Sequence, residues 1–245
     1  MAGSGATTSH QGSRFAATRW SVVLAAGRWQ ADSEGRRAMS ELARMYWFPL
    51  YAFLRRRGSS PAQAEDLVQG FFTHLLDKNA LAGADQARGK FRSFLLAALN
   101  HYAANVWDHD RAIKRGGGRT MLSLDVAAAE VRYGAEPMDE LTPDRVYERK
   151  WALAVLDQVL ARLAHEYAGR GQDQIFTALK PALTGEAQAG YGRIATQLRI
   201  NEGAVKVAAH RLRRRYRELL RAEIGQTVAD PDQIDQEIRE LLTSL

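Results

Sequence analysis

Residues 191–220, YGRIATQLRINEGAVKVAAHRLRRRYRELL, decide the reading of this chain. The stretch predicts a short helix over 191–198, a turn at 198–201 and a long helix over 202–224, with Asn201 placed to cap the second through its side-chain oxygen. At about 100° per residue, Val205, Ala208, Leu212, Tyr216 and Leu219 fall on one side of the long helix. Gly203, Val207, His210, Arg214, Arg217 and Arg221 fall on the other, flanked by Lys206 and Arg211. A packed face opposite a basic face, preceded by a short helix carrying Ile194, Ala195 and Leu198, fits a helix-turn-helix whose second helix enters the major groove. Glu202, Gly203, Ala204, Lys206, Val207, His210 and Arg211, in the first turns, are placed to reach base edges, while Arg213, Arg214, Arg215 and Arg217 suit phosphates. An ordinary amphipathic surface helix is the alternative.

Charge supports the first reading once it is resolved along the chain. The 34 Lys and Arg against 28 Asp and Glu leave a net charge of +6, which admits a polyanionic partner without naming one. Between Arg88 and Arg119, seven basic residues stand against two acidic ones, a local balance of +5, and the same seven against two recur between Asn201 and Arg221. The rest of the chain is therefore acidic, at −4. Two separate basic sites on a mildly acidic scaffold are the expectation.

Outward from the helix-turn-helix, apolar residues recur at three- and four-residue spacing and alternating β-branched runs are few, so the fold class expected is all-α. Helices are predicted over 18–28, 34–57, 61–77, 89–114, 143–167 and 172–183, with a last one after Asp230-Pro231. Ser60 followed by Pro61 is a start signal, and Gly116-Gly117-Gly118 a stop, since each glycine costs a helix about 1 kcal/mol relative to alanine. The organisation expected is a disordered arm at 1–14, a helical domain at 15–115, a linker at 116–142, the helix-turn-helix domain at 143–224 and a helical extension at 225–245. With 46% hydrophobic residues over 245, both domains can bury a core. No apolar run reaches the roughly 18–20 residues that would span a bilayer, and the arm lacks the regions of a secretory signal, so no membrane insertion and a cytoplasmic setting are expected.

The absence of cysteine excludes disulfides, Cys-ligated zinc, iron–sulfur clusters and thiol catalysis. The histidines show no HExxH or other metal-ligand spacing, and no phosphate loop or nucleophile elbow appears. Glu65 and Asp66 are adjacent on a helix and do not face each other as an acid/base couple would. No enzyme and no cofactor are expected.

The order of the motifs says more. LARMYWFPLYAFLRRRGSSPAQAEDLVQGFFTHLL (42–76), FRSFLLAALNHYAANVWDHDRAIKRGGG (91–118) and the helix-turn-helix together resemble the extracytoplasmic-function sigma factors of the sigma-70 family. The resemblance covers roughly 42–115 and 172–220, and AEDLVQ with GAVKVAAHRLRRR is its most specific pair. It implies two helical domains, a region 2-like bundle and a region 4-like helix-turn-helix, joined by a linker, with the terminal helices as additions. It implies an alternative sigma factor that binds core RNA polymerase and directs transcription initiation at promoter DNA. Core binding would fall to Glu65, Asp66, Gln69 and Phe72, and the minus-ten element to Asn100, His101, Asn105, Arg111, Lys114 and Arg115. The minus-thirty-five element would fall to Glu202, Gly203, Ala204, Lys206, Val207, His210, Arg211, Arg213, Arg214 and Arg217. An anti-sigma factor or other regulatory protein is a further partner such factors have. Two positions depart from the family pattern: Gly70 stands where a glutamate is usual, and Phe94 where a tryptophan opens the promoter-melting helix. The reading that competes with it is a stand-alone helix-turn-helix regulator that does not bind core polymerase.

Overall fold

The computed structural model describes residues 20–28, 32–78, 80–84, 89–112, 126–134, 140–183, 190–228 and 230–245. These are helical with no strand among them, so the chain is all-α over the described residues. Among the described residues ten α-helices run as α1 (Trp20–Ala26), α2 (Ser33–Arg56), α3 (Pro61–Asp77), α4 (Phe91–Ala112), α5 (Val126–Gly134), α6 (Pro143–Ala168), α7 (Asp173–Leu179), α8 (Tyr191–Leu198), α9 (Glu202–Ile224) and α10 (Ile234–Thr243). The arm expected at 1–14 and the glycine run at 116–118 lie outside the described residues.

Local chemistry sets the boundaries. The Asp32 side chain accepts the Gly35 amide at 2.6 Å and opens α2. At the next junction the chain turns through Gly58, whose φ of +96° lies in the left-handed region that glycine enters without strain. Ser60 and Gln63 then exchange side-chain and backbone hydrogen bonds in a capping box, with Pro61 at the first helical position of α3. Thr142 caps α6 through its hydroxyl, which accepts the Arg145 amide, and Pro143 takes the first helical position.

Packing then decides what each helix does. Every residue from Met45 to Leu54 in α2 is buried, so this half of the helix is apolar all round and central rather than amphipathic. Pro49 sits inside it, and Trp47 stacks on Tyr51 with ring centroids 5.1 Å apart. α6 lies most extensively against α2. Its first turns meet the N-terminal half, where Tyr147 faces Phe53 edge-on. Its last turns meet α7 and α9 through Tyr167 against Phe176 and through Glu166 with Arg215. At about 1.5 Å per residue its 26 residues make a rod of about 39 Å, long enough to serve both. Most buried apolar side chains from Val23 to Leu241 consequently form one contiguous core, with Ala52 and Val146 in a small cluster beside it. The boundary expected at residue 143 coincides with a helix cap but with no gap in the packing.

The expected linker contains α5, which is tied to α2: Glu130 accepts from the Tyr51 hydroxyl at 2.5 Å and from Arg55 Nε at 2.8 Å. The extension beyond 225 carries α10, which docks on α9 and α6. The helix expected over 172–183 stops at Leu179 and continues as a 3₁₀ turn at Lys180–Ala182, where Pro181 has no amide to extend the α ladder.

Candidate nucleic-acid interface

The helix-turn-helix forms with the predicted limits. Ile194 and Ala195 of α8 are buried, and Arg199 closes the helix in the left-handed region at φ 53°, its neighbour Ile200 donating back to the Ala195 carbonyl at 3.0 Å. The Asn201 side chain accepts the Ala204 amide at 2.7 Å and starts α9. On the inner face Val205, Leu212 and Leu219 are buried as expected, Ala208 and Tyr216 are half-buried, and Ala209, Leu220 and Ile224 join them.

The outer face of α9 is open. Glu202, Gly203, Ala204, Lys206, Val207, His210, Arg211, Arg213, Arg214 and Arg217 are all exposed. Their partners sort them. Lys206 is held by Glu202 at 2.8 Å, which raises its pKa through that hydrogen bond. Arg214 pairs with Glu218 at 2.9 Å, and Arg213 donates to the Tyr191 hydroxyl at 3.2 Å. His210 and Arg211 have no hydrogen bond or ion pair among the described residues. Arg215 and Arg221, counted with the basic window from sequence, are committed elsewhere: Arg215 grips Glu166 of α6 at 2.7 and 2.8 Å, and Arg221 pairs with Asp235 of α10. Arg193 and Arg199 are exposed cations on the same motif that the sequence window, opening at Asn201, left out.

The first basic window is more altered. Arg92 is only 5% exposed. Its guanidinium lies 4.2 Å from the Trp151 ring centroid, with Glu148 of α6 at 2.7 Å and Glu237 of α10 also paired to it. Lys90 pairs with Glu237 at 2.6 Å and with Glu240, and this contact with Lys90 holds the Glu240 carboxyl below its usual range. Arg92 serves the interior, and Lys90 is committed at its edge. The Lys114 and Arg115 positions and the Arg111 side chain lie outside the described residues.

What α4 does present is a small polar and aromatic cluster. His101 and Asn105 are exposed, and Asn100 accepts a hydrogen bond from Arg57 at 2.5 Å. The Arg57 guanidinium sits 5.3 Å from the centroid of Trp107, itself 37% exposed. Sequence reasoning missed Arg57, which belongs to α2's end and reaches the site only through the fold. An exposed aromatic beside a guanidinium and an amide is a surface on which an unpaired base can stack.

On α3, Asp66 is exposed and Glu65 is half-buried, receiving the Gln69 amide at 3.0 Å. Phe72 corrects the expectation: at 3% exposure it is a core residue beside Phe71 and offers no surface to a partner. Gly70 has a physical reason, since a Cβ there would overlap the Tyr102 hydroxyl. Among the described residues no three His, Asp or Glu side chains come together as a metal site would require, and no helix is long and apolar enough to cross a membrane. Compared with protein-family models, curated proteins and solved structures, the chain matches none of them.

Proposed function

We propose that the chain is an alternative sigma factor, which binds core RNA polymerase and directs promoter-specific initiation, reading a minus-thirty-five element with α9 and a minus-ten element with α4. The observation that carries this reading is the outer face of α9: a capped, well-packed second helix whose first turns expose small residues, an apolar side chain and cations together. That is the composition base-edge readout needs, while Arg214 and Arg217 further along suit phosphates. The Arg57, Asn100 and Trp107 cluster supports a second contact, with melted DNA. In this proposal the two halves are a region 2-like and a region 4-like unit, Asp66 with Glu65 and Gln69 meets the polymerase, and a regulatory protein is a further partner in the cytoplasm. No catalysis is assigned.

Reconstitution tests it. Purified protein mixed with core polymerase should co-elute with it and start transcripts at discrete sites sharing upstream motifs, and binding should weaken steeply with salt. Failure to bind core, with binding to duplex DNA intact, would instead establish a stand-alone helix-turn-helix regulator. The burial of Phe72 and the internal pairing of Lys90 and Arg92 favour that second reading, because they withdraw surface from the N-terminal half.

A further inference from the structure

Val207 is the feature of the α9 face that charge does not explain. It is 50% exposed, in the second turn, with exposed Gly203 and Ala204 beside it and Lys206, His210 and Arg211 around it. Single exposed apolar residues are common, and Val131 of α5 is more exposed still at 74%. Position separates the two. The first turns of a second helix in a helix-turn-helix are the part that reaches base edges, and in the major groove the thymine C5-methyl is the apolar group a base presents.

The neighbouring polar side chains narrow the choice. Lys206 is restrained by Glu202 and Arg213 by Tyr191, leaving Val207, His210 and Arg211 as exposed side chains of this stretch with no hydrogen bond or ion pair among the described residues. Valine in a helix is held to one χ1 rotamer roughly 90% of the time, so its methyls are fixed before any contact and lose little freedom on making one. Cations on both sides draw the duplex onto the apolar spot.

We infer that Val207 is a specificity-determining residue that seats a thymine methyl, with Arg211 reading a guanine nearby; this rests on the DNA-binding reading above. Four residues of helix advance about 6 Å and stacked base pairs about 3.4 Å, so the two bases lie about two steps apart. The site sought is therefore a T and a G in fixed spacing, not a run of identical bases.

The test uses the full chain and duplexes it recovers itself from a randomised pool. In the best duplex each thymine is replaced in turn by uracil, which removes only the methyl. Wild-type protein should lose about four-fold in affinity at one thymine, the worth of a single methyl taken from water. Val207→Ala should lose a similar factor on the thymine duplex and be indifferent to uracil at that position. A Val207→Ala protein that keeps the full uracil penalty, or a wild type insensitive to uracil everywhere, overturns the inference and leaves DNA binding standing. If no duplex is enriched by the chain alone or by its complex with core polymerase, the DNA-binding reading fails as well. Val207 is half exposed on the outer face of α9, and an unchanged circular dichroism melt confirms that the variant folds.

Discussion

Single residues in this chain carry meanings that composition alone would misassign. Glycine inside a helix costs about 1 kcal/mol relative to alanine, so Gly70 in the middle of α3 looks like an invitation to stabilise. The Tyr102 side chain reverses the sign: its hydroxyl occupies the space of the missing Cβ and its Cζ would lie 3.3 Å away. Gly70→Ala should lower stability by about 1–3 kcal/mol, as overpacking does, and adding Tyr102→Phe should recover part of the loss; urea denaturation of the two variants checks it. A Gly70→Ala protein more stable than wild type would show that α3 and α4 are not in close contact there. Arg199 presents the opposite case. It holds a left-handed conformation that glycine would enter more easily, and in doing so sets an exposed guanidinium at the turn before α9.

At the scale of elements, ion pairs between helices differ in worth according to burial. Glu237 is 2% exposed and Arg92 5%, so Glu237→Ala leaves a buried guanidinium short of a carboxylate and should cost up to about 3–5 kcal/mol. Glu240→Gln, at a pair where Lys90 and Glu240 are 35% and 42% exposed and Lys90 keeps Glu237, should cost at most about 1 kcal/mol. Thermal melts of the two variants give the contrast, and equal losses would mean that α10 is not seated. The same pairs set an acid limit. Hydrogen bonds from Arg215 to Glu166 and from Lys90 to Glu240 hold both carboxyls below the ordinary 4.5. The folded chain then binds fewer protons than the unfolded one near that pH, so this stabilisation is complete above about pH 4.5 and is lost as pH falls through the lowered values. Glu166→Gln should flatten the decline, measured as the urea midpoint at pH 7 and pH 4. Helix limits were legible because their signals are local: Ser60 with Pro61, Thr142 with Pro143 and Asn201 each act within three residues. Which cations remain free was not legible. Arg92 and Arg211 look alike in sequence, and Arg92 is withdrawn by a glutamate 145 positions away.

Over the whole molecule, the rod of α6 packs against helices of both expected domains, α2 in the first and α9 in the second. Heating should therefore give a single transition, with near-ultraviolet and far-ultraviolet circular dichroism superimposing and the calorimetric and van't Hoff enthalpies equal. Two resolved transitions would mean that α2 and α9 unfold independently. The candidate site divides along the same line. The α9 face was visible from sequence because one helix carries it, whereas the Arg57, Asn100 and Trp107 cluster needs α2 and α4 brought together. The Arg92 to Glu237 contact also has a consequence for synthesis. Arg92 leaves the ribosome 145 residues before its buried partner, and at about 5–20 residues per second that interval is on the order of ten seconds. Throughout it the nascent N-terminal half carries a guanidinium whose final surroundings do not yet exist. The surroundings of Arg92 are therefore completed only once α10 has emerged and docked.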